Sequence, residues 1–122
     1  MTTHQAPRLL SSSSFEGTKV RNLDKKDIGH IKDLMINLHT GRVAYAVLSF
    51  GGFMGLGNKL FAVPFEAFKL DTGDEELILD ARKDVLEKMK GFDEDNWPDF
   101  ADPEFHTHAH AAWNTKPSWT LK

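Results

Sequence analysis

Between Thr18 and Asp80 the chain alternates short apolar segments with turn-forming residues, and this alternation constrains the fold more than any other feature of the sequence. Gly, Asn and Asp, which favour tight turns, are concentrated in the gaps between segments. Short strands at this spacing are typical of a small barrel. The sequence therefore predicts a mainly β chain, a small antiparallel β-barrel of five to six strands. The predicted strands are residues 18–23, 28–38, 42–50, 59–65, 67–70 and 76–80.

The second predicted strand, residues 28–38, has an irregular pattern. Ile31 lies on one face of an extended strand, whereas the later apolar residues Leu34, Ile36 and Leu38 lie on the other. The inward face therefore switches near Asp33, which predicts a β-bulge there. Farther along, Pro64 cannot donate a ladder hydrogen bond, so it predicts a strand end or an edge strand near the barrel rim.

Four glycines lie in the connection at residues 51–58, between two apolar strands. Gly52 and Gly57 have the spacing of a phosphate-binding loop, but Asn58 and Lys59 follow where Lys and then Ser or Thr are required. A strand also follows, so no helix N-terminus would face an anion. The glycines instead indicate a hairpin connection, in which they permit positive φ angles.

Large apolar side chains in this connection and in the strand before it suggest a contact surface. Exposed apolar patches are unfavourable in water, so the side chains at the loop tip either fold back on the core or contact another chain. The strand 43–50 is apolar on both faces, and a small barrel has one interior, so its second face needs a cover. The C-terminal region or a second subunit could supply it. The candidate interface residues are Tyr45, Phe53, Met54 and Leu56.

From Ala81 the pattern becomes helical. Residues 81–91 predict a short helix with Val85, Leu86 and Met89 on one face and a glycine stop. After it, aromatic residues alternate with acidic ones, which predicts a segment that wraps across the barrel. A second helix is predicted to begin at Asp102 as N-cap, with Pro103 in its first turn. The predicted organisation is a mobile N-terminal arm at 1–17, a barrel at 18–90 and a C-terminal extension at 91–122 with a flexible end.

Charge and composition exclude several classes of function. The net charge is −3, and residues 91–122 carry six acidic and two basic side chains, so we expect no nucleic-acid partner. The absence of cysteine excludes disulfides, thiol catalysis and Cys-based metal sites. No signal peptide is recognisable, and the longest apolar run, within 43–50, is shorter than the roughly 20 residues of a membrane helix. We expect a cytoplasmic protein without a transmembrane segment.

The motif HTHAH is the best metal candidate in the sequence. His106 and His110 share a face in a helix, and all three histidines, with His108, share one in a strand. Asp102 or Glu104 could add a carboxylate ligand. No distant ligand set with recognisable spacing accompanies them, however, and histidines in a polar terminus are commonly solvated. We therefore expect no metal site and no cofactor, with these histidines as weak candidates.

No recognisable catalytic set is present. Asp33 and Glu66 lie among apolar residues that could raise the pKa of a carboxyl group. A simpler interpretation is that Asp33 accepts hydrogen bonds from backbone N–H groups at the predicted bulge. Neither a nucleophile elbow nor a Ser, His and Asp order is found. We expect no catalytic residues and no enzymatic activity.

Two stretches resemble the PRC-barrel family. They are IGHIKDLMINLHTGRVAYAVLSFGG, with its Thr40-Gly41-Arg42 turn, and LGNKLFAVPFEAFKL, with its Val63-Pro64 pair. The likeness covers about residues 18–90. This barrel occurs in the H subunit of the photosynthetic reaction centre and in a ribosome-maturation factor that docks on the small subunit. The H subunit has a membrane helix before its barrel and the ribosome factor another β-domain, and neither has a counterpart here.

The resemblance implies an assembly or docking module, because family members share no catalytic motif. We expect a stand-alone, non-enzymatic barrel that binds a protein partner, and the partner we expect is a second copy of itself in a homodimer. Peripheral association with a membrane complex is left open. The alternative is a metal- or ligand-responsive regulatory protein that uses the HTHAH segment.

Overall fold

The computed structural model describes residues 10–51, 58–71, 73 and 76–115. Six strands, three helices and one 3-10 turn are found in this part of the chain. They are α1 (Ser12–Phe15), β1 (Lys19–Arg21), β2 (Asp27–Asn37), β3 (Arg42–Gly51), β4 (Asn58–Pro64), a 3-10 turn (Phe65–Ala67), β5 (Phe68–Asp71), β6 (Glu76–Leu79), α2 (Lys83–Lys88) and α3 (Pro103–Ala112).

The six strands form one sheet in the order β4-β3-β2-β1-β6-β5, which curves into a half-barrel. The predicted mainly β fold, with a short helix near the C-terminus, is confirmed. Neighbouring strands pair antiparallel, except β1 and β6, which pair in parallel through Val20 and Leu77. The long chain between β1 and β6 makes this parallel pairing feasible, since parallel neighbours need a long connection.

The bulge predicted in β2 is confirmed, because the β2–β3 register shifts between Ile31 and Asp33. A second shift, between Met35 and Ile36, has no signal in the sequence pattern. There β3 carries the extra residue, Ala44, and Ile36 beside it is 50% exposed; Leu38, in the turn after β2, is 90% exposed. The prediction that these two side chains face inward with Leu34 is therefore wrong.

Apolar side chains from one face of the sheet form the core. Leu86 of α2 joins them and is fully buried, while Val85 beside it is 45% exposed, so only part of the predicted apolar face of this helix packs inward. Lys59 of β4 holds the helix end by donating hydrogen bonds to the carbonyls of Glu87 and Met89. The core residues are Val20, Ile28, Ile31, Ala46, Leu48, Phe50, Phe61, Val63, Leu77, Leu79 and Leu86.

Gly29 allows β2 to approach β3 closely. Its φ is +135°, a conformation that side chains disfavour, and a Cβ atom at this position would lie 2.0 Å from the carbonyl oxygen of Ser49. No other residue type fits here without moving the backbone of one strand.

Residues 10–17 pack against the sheet, in contrast to the mobile arm predicted for 1–17. Ser11 caps the single turn α1 by accepting a hydrogen bond from the Ser14 backbone N–H. Phe15 packs on the core and contacts Phe65 edge to face, with ring centroids 6.1 Å apart. Gly17 then donates a backbone hydrogen bond to Ile31 of β2. The serine-rich composition predicted an arm without packing contacts, but Phe15 within it is apolar and anchors the segment to the core.

The sheet ends at β4 on one side, and the C-terminal chain covers part of that edge. Pro64 is the last residue of β4, which confirms the predicted strand end. Leu60 exchanges two backbone hydrogen bonds with Phe92, each 2.8 Å long. This pairing brings the chain after α2 alongside the sheet, where α3 then follows. The predicted start of α3 is confirmed, since Asp102 caps it through the Glu104 N–H at 2.9 Å and Pro103 is its first residue.

Candidate functional site

Tyr45 on β3 lies at the centre of a cluster of aromatic and imidazole rings. The even-numbered residues of this strand, Ala46, Leu48 and Phe50, point into the core, which leaves Tyr45 on the opposite face. Its side chain is nevertheless only 1% exposed. Residues 92–115, hereafter the C-terminal segment, supply the cover that the sequence requires for this face.

Four rings of the C-terminal segment surround the Tyr45 ring. His106 stacks on it at 25° between ring planes with centroids 5.5 Å apart, and His110 meets its edge at 5.6 Å. Phe100 and Phe105 each lie at 5.8 Å. Tilted and edge-to-face aromatic pairs at these separations add about 0.5–1.5 kcal/mol each beyond the burial of apolar area. The ring cluster therefore fixes the segment to the sheet.

Hydrogen bonds at both ring nitrogens fix the orientation of the His106 side chain. Its Nδ1 lies 2.5 Å from the Tyr45 hydroxyl, and its Nε2 lies 2.5 Å from the carbonyl oxygen of Phe100. A carbonyl only accepts, so Nε2 carries the proton. In the neutral ring Nδ1 is then an acceptor, and the Tyr45 hydroxyl donates to it. This chain of donors links β3, α3 and the loop before α3.

His110 lies one helical turn after His106 and is 3% exposed. Its Nδ1 is 2.7 Å from the Thr115 hydroxyl, just beyond the end of α3. Burial lowers the pKa of the His110 imidazole; the Glu66 carboxylate acts against this shift and His106 adds to it. Burial, reinforced by Glu66, raises the pKa of the Tyr45 hydroxyl above its usual value. Both groups are held in their neutral forms near pH 7.

The three histidines of HTHAH do not converge. His106 and His110 face the Tyr45 ring, while His108 is exposed elsewhere on α3. Both ring nitrogens of His106 have hydrogen-bond partners within the chain. Among residues 10–51, 58–71, 73 and 76–115, no group of three or more His, Asp or Glu side chains could hold a metal ion. This geometry gives the metal-responsive alternative no support.

The other candidates from the sequence have simpler positions. Asp33 accepts a hydrogen bond from the Leu34 N–H at 2.8 Å, so the prediction that it satisfies backbone donors at the bulge is confirmed. Glu66 is exposed on the 3-10 turn. Tyr45 is buried by its own chain and so is not free to form the predicted intermolecular interface. The other three predicted interface residues, Phe53, Met54 and Leu56, lie outside the described residues.

A groove of about 820 Å³ runs between β4 and α3. Leu60 and Ala62 line one wall, and Ala109 and Trp113 of the C-terminal segment line the other. Two smaller cavities, of about 320 and 350 Å³, flank the Tyr45 ring cluster and are lined in part by His110 and His106 respectively. Open space therefore remains beside α3 on more than one side.

Comparison with protein families agrees with this architecture. The family model of the PRC-barrel domain matches residues 7–86, which is well over half of the chain. The chain belongs to the PRC-barrel family. The resemblance noted in the sequence is thereby confirmed, and the match includes the α1 turn that packs on the half-barrel. A search of curated proteins found no match.

The PRC-barrel match ends at Leu86, so the ring cluster on Tyr45 combines one family strand with a segment beyond the match. PRC-barrel is a non-catalytic domain family. Within the described part of the chain, no helix has the length and apolar character needed to cross a membrane.

Sequence reasoning did not anticipate the pairing of Tyr45 with His106. The two residues lie 61 positions apart, and no local pattern links them. A signal was present, however. The cap at Asp102 makes HTHAH helical, helical spacing puts His106 and His110 on one face, and β3 needed a cover for the face that carries Tyr45.

Proposed function

We propose that this PRC-barrel chain is a non-enzymatic docking module that assembles with a second copy of itself. The observation that carries the proposal is the exposed apolar end of β2. At the tip of the β2–β3 hairpin, Ile36 is half exposed to water and Leu38 is almost fully exposed. Burying a leucine or isoleucine side chain contributes about 1.5–3 kcal/mol, so a contact here is favourable. Membership of a non-catalytic family supports the non-enzymatic part of the proposal.

A two-fold homodimer fits a patch of this kind. In such a dimer the same surface meets itself, so a small apolar patch is doubled without a complementary site elsewhere.

The polar groups of the ring cluster also support docking over catalysis. Tyr45 and His106 are engaged in holding the C-terminal segment, and His110 bonds Thr115 within it.

The connection with Phe53, Met54 and Leu56 is the second proposed contact, and it rests on the sequence alone. It follows the end of β3, whereas the Ile36 and Leu38 patch adjoins its start. A ten-residue strand spans about 30 Å. Variants of the two segments therefore test them separately. The predictions of a cytoplasmic location and of no nucleic-acid partner stay predictions.

Sedimentation equilibrium of the purified chain tests the proposal. We expect a concentration-dependent dimer that I36S/L38S weakens by at least about tenfold, as the loss of two buried apolar side chains requires. The matched control is Leu70→Ser, since Leu70 is also an exposed leucine but lies on β5. F53S/M54S/L56S tests the loop in the same assay. A wild-type chain that stays monomeric at high concentration contradicts the homodimer, and dissociation only with the loop variant moves the interface there.

A further inference from the structure

The C-terminal segment is attached to the sheet unevenly. Near its start, Phe92 exchanges two backbone hydrogen bonds with Leu60, and Glu94 pairs with Lys32 of β2 at 2.5 Å. Farther on, the contacts of α3 with β3 are made by side chains, chiefly the histidine rings against Tyr45. The helix can therefore leave the sheet without breaking any strand pairing of the half-barrel.

His106 is held at this contact by two hydrogen bonds. Its Nε2 donates to the Phe100 carbonyl, and its Nδ1 is bonded to the Tyr45 hydroxyl. These bonds place the His106 ring against Tyr45, one helical turn before His110.

A positive charge on His110 is unfavourable while α3 is packed against Tyr45, which we call the closed form. The groups that face it are Tyr45 and Arg42 from β3, Glu66 from the 3-10 turn, and His106 one turn before it on α3. Of these, only Glu66 favours a cation, and it is exposed to water, which screens its effect. The neighbouring imidazole and the burial of the ring both oppose a proton.

We propose that α3 is a proton-sensitive latch: protonation of His110 releases the helix from Tyr45 and opens the β3 face and the groove beside β4. The burial of His110 lowers its pKa in the closed form, so the released form binds protons more readily. The latch is then fully closed above the ordinary imidazole pKa of about 6.5 and loses stability as the pH falls below it. The proposal is independent of the proposed dimer.

Hydrogen exchange followed by mass spectrometry on the whole chain tests the latch. Peptides from α3 are compared with peptides from β2 and β3 at pH 7.5 and 5.5, after correction for the intrinsic rates. We expect α3 to lose protection on acidification by up to about tenfold, because pH 5.5 lies about one unit below the ordinary imidazole pKa. The strand peptides are expected to keep theirs. Protection of α3 that does not change relative to β3 overturns the proposal.

Three variants assign the effect to the named groups. His110→Gln removes the titrating ring and is expected to flatten the pH response. His108→Gln is the matched control, because His108 is exposed on the same helix, and its response should equal that of the wild type. Glu66→Gln removes the one charge that favours the cation, so its response should be larger. An unchanged response in both His110→Gln and Glu66→Gln overturns the assignment, and Glu66→Gln, at an exposed position, serves alone if the buried variant does not fold.

Discussion

The two faces of β3 are buried by different means. On one face, Ala46 and Leu48 pack among apolar side chains from five of the six strands and α2, with Trp113 at the end of α3 packed against them. On the other, Tyr45 is covered by aromatic and imidazole rings from a single later segment. The first face is closed mainly by the half-barrel and α2. The second is closed by a segment with backbone pairing to the sheet only near Phe92, in the part of the chain that the structure describes.

This difference predicts unequal stability. An apolar core is insensitive to pH and loses free energy mainly when volume is removed. The contact around Tyr45 depends on particular hydrogen bonds and on uncharged rings, so single polar atoms and protons matter there. Substitutions on the first face should destabilise the whole molecule, and substitutions on the second should chiefly free the C-terminal segment.

The largest effect is expected from Gly29→Ala. The added Cβ would overlap the Ser49 carbonyl oxygen, so β2 and β3 must separate. We expect at least about 4 kcal/mol of lost stability in chemical denaturation, beyond the usual range for one substitution. Gly17→Ala is the control, since Gly17 has φ of +87° but open space around it, and it should cost only about 1–2 kcal/mol. Equal costs would show that the close approach is not what requires glycine.

The next largest effect is expected from Leu86→Ala. Leu86 is fully buried in the core, and truncation there should cost about 2–5 kcal/mol in the free energy of unfolding. Val85→Ala, at the exposed neighbouring position, should cost less than about 1 kcal/mol. Denaturant midpoints of the two variants decide the point. Similar losses would mean that α2 is not anchored by Leu86.

A smaller and more local effect is expected from Tyr45→Phe. The ring stays in place, but the Nδ1 of His106 loses its donor, at a cost of about 1–3 kcal/mol. Exchange of α3 amides should increase while that of β2 amides changes little. If β2 and α3 lose protection together, the two faces are one cooperative unit and the contrast drawn above fails.

The smallest effect is expected from Asp102→Ala. It removes the cap of α3 and should cost about 1 kcal/mol, again confined to the C-terminal segment. Asp102→Asn, which can still accept from the Glu104 N–H, should retain most of the stability. Exchange of the first α3 amides measures both. A loss of the same size in Asn and Ala would mean that the charge, through the helix dipole, matters more than the cap.

The sequence specified local features well because their causes are local. The face switch at Asp33, the stop at Pro64 and the cap at Asp102 each follow from one or two side chains, and each is confirmed. The exposed Ile36 lies beside a second register shift whose extra residue, Ala44, belongs to β3, so the β2 pattern does not contain it.

Pairings between residues far apart in the chain could not be predicted from local sequence patterns either. The parallel contact of β1 with β6 and the bond from Tyr45 to His106 join distant parts of the chain. The histidines illustrate how such a pairing changes an interpretation. Considered alone, HTHAH is a weak metal motif. Placed on a capped helix opposite an uncovered strand face, two of its rings pack against Tyr45 and form the most specific contact of the C-terminal segment.

The central claim is that the half-barrel and the cover over Tyr45 are energetically distinct. Native-state hydrogen exchange at pH 7.5 with increasing denaturant measures this directly, amide by amide. The account predicts two tiers, with β2 and β3 amides exchanging only through global unfolding and α3 amides through a smaller opening of lower free energy. A single tier, in which α3 and β3 amides share one free energy and one denaturant dependence, would contradict it.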